Sequence, residues 1–371
     1  MAVIIDLAVS YDQSTTNKTW FAEGVHRISP GDTPLQLLLP KQQISSTNPS
    51  WDEHSLTSQV AALATAVTAG AVTFVVTGAS DRIPTDVSTY NVPALIGTEY
   101  VLVTALTGST TLTVTRGHAS STSATHAAAD ELFILAPELL ENDDAQASFI
   151  QGRTTETNYV QEFEKIVEIS ELQEAVEKEG GVTSEMDFDT MAAMQEIALQ
   201  LEIAMILNPA AAVGTKTTKA SMGGLLGTIS TNKTSDSGSV DQAAIQADIR
   251  KCVRAGGRPN LLLTSLQLGQ DIANLYKDRI RTDVLNTIGG VMITTIVDPL
   301  AKNPIVVLPH NLCPAGTYFM LDTTRLAVLW LIAFKQDRLA KTKRAAKNMI
   351  NGAYSIKIAN EEAHACRYGF S

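Results

Sequence analysis

SEMDFDTMAAMQEIALQLEIAMILN, Ser184 to Asn208, is the stretch on which the reading of this chain turns. Phe188, Met191, Met194, Ala198, Leu201 and Met205 recur at steps of three and four, which draws an apolar stripe along a helix. Ser184 followed three residues later by Asp187 forms a start signal, a hydroxyl able to accept from the first free amides. Pro209 ends the helix, because the residue before a proline is pushed out of helical geometry. At about 1.5 Å per residue, Glu185 to Leu207 spans roughly 34 Å, long for a globular helix. Its polar side carries Glu185, Asp189, Glu196 and Gln200.

Around this helix the composition shifts several times. Residues 1–57 hold Pro30, Pro34, Pro40 and Pro49 around one short apolar run, Leu35 to Leu39, which suits an extended arm lying on other structure. Residues 58–137 are rich in Thr, Ser, Val, Ala and Gly and contain no lysine. Period-two runs at Val72–Val76, Glu99–Leu106, Ser109–Gly117 and Glu131–Ala136 predict a small all-β barrel or sandwich. Residues 138–179 are acidic, and within them Asn158 to Ser170 starts with helical spacing and ends as a strand. Beyond Pro209, glycines 214, 223, 224 and 227 suggest a flexible small-residue linker. Helices at Asp241–Gly257 and from Leu268 then alternate with short apolar strands, a mixed α/β pattern. The tail reads as a strand, a basic loop or turn and the strand Ala353–Asn360.

Composition narrows the function. The 371 residues carry 28 Lys and Arg against 39 Asp and Glu, net −11, so bulk charge does not draw the chain to nucleic acid or anionic membrane. Three widely spaced cysteines, Cys252, Cys313 and Cys366, read as free thiols. The first residues lack a basic region followed by an apolar core, and no run approaches about 18 consecutive apolar residues. Phosphate-loop, dinucleotide and nucleophile-elbow motifs are missing. His118, His126 and Asp130 read as solvated loop residues rather than metal ligands, and His364 beside Cys366 lacks an orienting group. Asp143–Asp144 and Glu361–Glu362 are adjacent and so face apart. No catalytic constellation, cofactor site or metal site is expected. The charge feature that stands out is Lys335–Lys347, KQDRLAKTKRAAK. Besides a solvated face, or direct binding to packaged nucleic acid as a weaker third reading, its Lys341, Lys343, Arg344 and Lys347 are candidate subunit contacts, complementary to Glu168, Glu171 and Glu174 of the acidic stretch, within one subunit or across a boundary.

The order of these pieces resembles the major capsid proteins of tailed bacteriophages. The resemblance rests on Asn158-Tyr159 with Gln161, the Ile169-Ser170 step, the long helix with Glu202 in its last turns, Leu339-Ala340-Lys341-Thr342 and the close Asn360-Glu361-Glu362-Ala363-His364. Thr33-Pro34 followed by Trp51 also fits. It implies the α+β tailed-phage capsid fold, shared with herpesvirus capsid proteins and encapsulins. Residues 1–57 would be the N-terminal arm and first E-loop segment, and 58–137 an inserted β module. Residues 138–211 would return the E-loop and form the peripheral domain with its spine helix; 212–330 would be the axial domain and 331–371 peripheral-domain strands. The implied role is a non-enzymatic shell subunit assembling through hexamers and pentamers around double-stranded DNA, in the virion, after assembly in the host cytoplasm. Portal, scaffold and decoration proteins would be partners; with no long scaffolding segment before the arm, a separate scaffold or unaided assembly is implied. An encapsulin-like compartment and a carbohydrate-binding adhesive protein are the competing readings.

Overall fold

The computed structural model describes residues 33–54, 60–77, 92–108, 110–138, 141, 153–176, 184–276, 280–288, 291–301, 303–341 and 343–370, with backbone alone at 280–288 and 291–294. Most of the proline-rich arm, Asp143, Asp144 and Thr342 lie outside these residues.

In chain order the elements are α1 (Pro34–Leu38), β1 (Lys41–Gln43), β2 (Ser50–Glu53), β3 (Val60–Leu63), β4 (Thr73–Thr77), β5 (Val92–Ile96), β6 (Glu99–Thr107), β7 (Thr111–Thr115) and β8 (Glu131–Ile134). There follow β9 (Thr154–Thr157), β10 (Gln161–Ser170), α2 (Glu171–Ala175), α3 (Glu185–Leu207), α4 (Leu225–Thr228), β11 (Lys233–Ser235), α5 (Gln242–Arg254), β12 (Leu261–Thr264) and α6 (Leu266–Leu275). The chain ends with β13 (Ile280–Ile288), β14 (Val291–Ile296), β15 (Ile305–Pro309), β16 (Tyr318–Leu321), β17 (Leu326–Arg338), β18 (Ala345–Ile358) and β19 (Ala365–Tyr368). They divide into two compact units, one of residues 52–155 and one of all the rest.

The smaller unit is a closed six-stranded barrel in the order β3-β4-β7-β6-β5-β8. Alternate side chains (Phe74, Val76, Ala94, Ile96, Val101, Val103, Leu112, Val114) fill its interior, as the period of two requires. Closure leaves no free strand edge.

The larger unit has two sheets. One has the order β1-β17-β18-β10, the other β11-β19-β16-β12-β15-β14-β13. In the second, the central strands β12 and β16 are buried on both faces, so they are almost continuously apolar. Leu261, Leu263, Phe319 and Leu321 join one core with α3 and the four-stranded sheet. Leu262, Tyr318 and Met320 point the other way, to α5 and α6.

α3 starts with the Ser184 hydroxyl accepting from the Asp187 amide and ends at Leu207, as its signals require. It packs on β10 and β18. Its buried side, however, is Thr190, Ala193, Ile197, Leu201 and Met205, whereas Met191 is 66% exposed and Met194 39%. The expected stripe is therefore correct only in its C-terminal half. Apolar residues lie on more than one side of this helix, and spacing alone cannot choose among them. By length and composition α3 could also cross a membrane, but that buried side makes it the core helix of this unit.

Four further expectations give way. Asn158 to Ser170 holds no helix: β10 alternates Phe163, Val167 and Ile169 inward with glutamates outward, paired along its length with β18. The basic loop is only the tip of a long hairpin, since Lys335 and Arg338 lie in β17 and Lys347 in β18. Residues 331–371 do not all join the sheet beneath α3, because β19 sits between β11 and β16. Arg367 fixes it there by bonding Asp248 at 2.8 Å and Asp236 at 2.7 Å. Finally, the glycine-rich segment is no flexible linker: a Cβ on Gly227 would lie 2.2 Å from the carbonyl carbon of Pro209. The glycine lets α4 press against the end of α3.

Candidate functional site

The seven candidate contact residues gather where the β17–β18 hairpin meets β10 and α2. Ser170 ends β10 and caps α2 by accepting from the Gln173 amide, which turns the chain so that Glu171 faces the hairpin. Lys341 Nζ lies 2.7 Å from Glu171 Oε1, and Lys347 Nζ 2.9 Å from Glu168 Oε2. Glu174 accepts from the Glu185 amide at the start of α3, at 3.2 Å. A groove of about 660 Å³ runs between these elements, lined among others by Ile169, Glu174, Met186, Arg338 and Asn348. Complementarity between the basic tip and the acidic stretch is thus realised inside one chain for four of the seven. Lys343 and Arg344 are exposed and make no side-chain ion pair among the described residues.

The residues behind the resemblance prove to be joints. Asn158 is buried, donates to the Ile356 carbonyl at 2.7 Å and accepts from the Gly223 and Tyr159 amides at 2.8 Å. Gln161 Oε1 accepts from Asn208 Nδ2 at 2.8 Å and so holds the end of α3. Glu202 is fully buried. Its carboxylate accepts from the amides of Leu35 at 2.8 Å and Gln36 at 3.1 Å, and from His310 Nε2 at 3.0 Å. Thr33 offers α1 no side-chain cap, so Glu202 supplies one from 166 residues away. His310 Nδ1 accepts from the Leu312 amide, which leaves Nε2 carrying the hydrogen given to Glu202. In the C-terminal close, Glu361 accepts from the Ser230 amide at 3.0 Å and from Thr231, while Asn232 Nδ2 donates to the Glu362 and His364 carbonyls.

None of this is arranged for chemistry. His126 bonds the buried Glu99 at 3.0 Å and His118 bonds Glu138 at 3.0 Å. Among the described residues no cluster of three or more His, Cys, Asp and Glu could hold a metal ion. The three cysteines are free and buried. Burial pushes the Cys252 and Cys313 thiols up to about 12 and Cys366 up to about 11, so none is a ready nucleophile. His364 is buried away from any reaction partner; its Nδ1 accepts from the Asp322 amide at 3.2 Å, and burial pulls its pKa down to about 4. Sequence reading missed two ionic centres, Arg367 with Asp248, Asp236 and Tyr318, and Arg116 with Glu99 and His126. Arg116, one of two arginines with Arg82 in the lysine-free residues 58–137, was the available signal for the second.

With this geometry in hand, comparison with known proteins is decisive. The model of the SU10 major capsid protein family matches residues 8–370. The chain belongs to that family. Members of the SU10 major capsid protein family are structural, so this chain is a subunit of an icosahedral shell, a homo-oligomer, and a component of a virion capsid. Solved structures carry the same fold at very low identity. The capsid of an empty GTA particle is 9% identical over 99% of this chain and 100% of its own, with a TM-score of 0.52. The holo-SrpI encapsulin complex from Synechococcus elongatus is 8% identical over 98% of this chain and 96% of its own, with a TM-score of 0.50. No curated protein matches the chain by sequence.

Proposed function

We propose that this capsid protein assembles in the host cytoplasm through pentamers and hexamers into a shell that encloses double-stranded DNA without sequence-specific contacts, together with portal and scaffold proteins. β2 and β9 pair in a two-stranded ribbon, which serves as the base of the E-loop, with the barrel inserted on it as a platform open to decoration proteins. The observation that carries this reading is the division of labour among side chains. Asn158, Glu202, Glu361 and Arg367 are spent inside the subunit. What remains outside is suited to neighbours: the exposed Met191 and Met194 of α3 and the exposed cations Lys343 and Arg344. Heterologous contacts of this kind close into rings.

Electron microscopy of the expressed protein tests the reading. Closed icosahedral particles or capsomer-sized rings are expected, and a stable monomer at assembly concentrations overturns it.

A further inference from the structure

α5 ends in a run of cations. Arg250–Arg258, RKCVRAGGR, holds Arg250, Lys251, Arg254 and Arg258 and no acid, in a chain whose net charge is −11. All four are exposed, and Arg250 and Arg258 make no side-chain ion pair among the described residues. Arg250 and Arg254 stand four residues apart, one turn along the same side of the helix. Arg325 closes the end: its Nη2 donates to the Gly256 carbonyl at 2.9 Å, and its side chain is 28% exposed. The helix dipole favours cations in the last turn, where Lys251 and Arg254 stand. It does not account for Arg258, which lies beyond the left-handed turn at Gly256.

The described acids that adjoin this end are mostly occupied. Asp248 is buried and accepts from Arg367 and Tyr318, with Lys251 Nζ at 3.5 Å. Asp322 is buried and accepts from the Arg258 and Thr324 amides. Glu361, in the turn that packs on α5, accepts from Ser230 and Thr231; Glu362 of the same turn is exposed. The surface therefore has an excess of positive charge, and it has no apolar centre, since no large apolar side chain between Val213 and Leu266 is exposed. A protein partner relies on such a centre to exclude water. A phosphate backbone does not. It is held by hydrated charge and by the planar guanidinium fork, which matches two phosphate oxygens at once.

We propose that the C-terminal end of α5, carried by Arg250 and Arg258 and the cations beside them, is the contact through which each subunit holds the phosphate backbone of the enclosed double-stranded DNA. The inference rests on the shell reading above and adds a direction to it: this end of α5 faces the interior. It also reconciles an acidic chain with a polyanionic cargo. Bulk charge repels DNA, so local cations must offset it, and the shell repeats this end once in every subunit.

Binding of a short random-sequence DNA duplex to the unassembled full chain tests it, followed by fluorescence anisotropy over a range of salt. The logarithm of the affinity should fall linearly with the logarithm of salt concentration. Arg250→Gln with Arg258→Gln should reduce that slope by about 1.8, or about 0.9 for each cation removed. Lys343→Gln with Arg344→Gln, at the hairpin tip, should leave it unchanged. No binding by the wild-type chain, an unchanged slope in the α5 variant, or tighter binding of a polyglutamate peptide than of the duplex overturns the proposal. A second measurement reads the direction. The native cysteines are buried, so Arg258→Cys supplies the reactive thiol. In closed particles a bulky maleimide should leave it unmodified, and modification from outside overturns the proposal. None of these results touches the shell reading, which stands with wild-type particles and falls without them.

Discussion

Two buried carboxylates, Glu99 in the barrel and Glu202 in the larger unit, solve the same problem over very different distances along the chain. Both are fully buried, and each has a histidine Nε2 at 3.0 Å. Glu99 finds Arg116, Ala124 and His126 within 27 residues, so its network is complete once the barrel hairpins close. Glu202 instead reaches Leu35, Gln36 and His310, between 108 and 167 residues away, and ties α1, α3 and the loop after β15 into one body. The first makes a unit self-sufficient, and the second makes distant segments interdependent. In a shell subunit both are useful, because the barrel can act as an appendage while the body keeps its form.

The largest expected effect breaks the local network. Arg116→Met leaves the Glu99 charge buried with a weaker partner set and should destabilise the barrel by about 3–5 kcal/mol. A calorimetric scan should show one early transition, with the larger unit melting as before; a single unshifted transition would contradict a self-contained barrel. Acid separates the two units next. Burial holds the folded His364 pKa at about 4, below its unfolded value of about 6.5, so the unfolded state binds the extra proton. Stability of the larger unit therefore falls as pH drops from about 6.5 to about 4, by on the order of 3 kcal/mol. Burial pushes Glu99 up, but Arg116, the Ala124 amide and His126 outweigh it and hold the carboxyl near about 2. Its stabilisation is present above the unfolded value and is lost only as pH falls toward about 2. Denaturation followed from pH 7 to 3 should thus weaken the body before the barrel.

A smaller effect is expected at the long-range anchor. Glu202→Gln keeps one acceptor oxygen and removes the charge, costing about 1–3 kcal/mol; it should also speed proteolysis near Pro34, read by mass spectrometry of the fragments. Smallest of all is the exposed Lys341–Glu171 pair. Lys341→Ala should change stability by less than about 1 kcal/mol in urea denaturation, and a larger loss would mean that the hairpin tip is part of the core after all.

Much of the fold was legible because its signals are local. Ser184 and Pro209 bound α3, and the alternation in Glu99–Leu106 marks a strand, since capping, proline geometry and side-chain period act within a few residues. β10 was misread in part because Phe163, Ile166 and Ile169 sit at helical steps, and only pairing with β18, about 180 residues on, selects the extended form. Of the candidate site, the charges of Lys341 and Glu171 were legible, but not that they would meet within one chain.

By itself, then, the sequence determined the length and ends of α3, the β character of the barrel stretch and the charges at the hairpin tip. Each follows from short-range sterics, hydrogen bonding and composition. Which side of α3 is buried, why Glu202 tolerates a fully buried charge, and why Gly227 must lack a side chain were decided only by tertiary structure. Those answers depend on partners that the chain brings within a few ångströms only after folding.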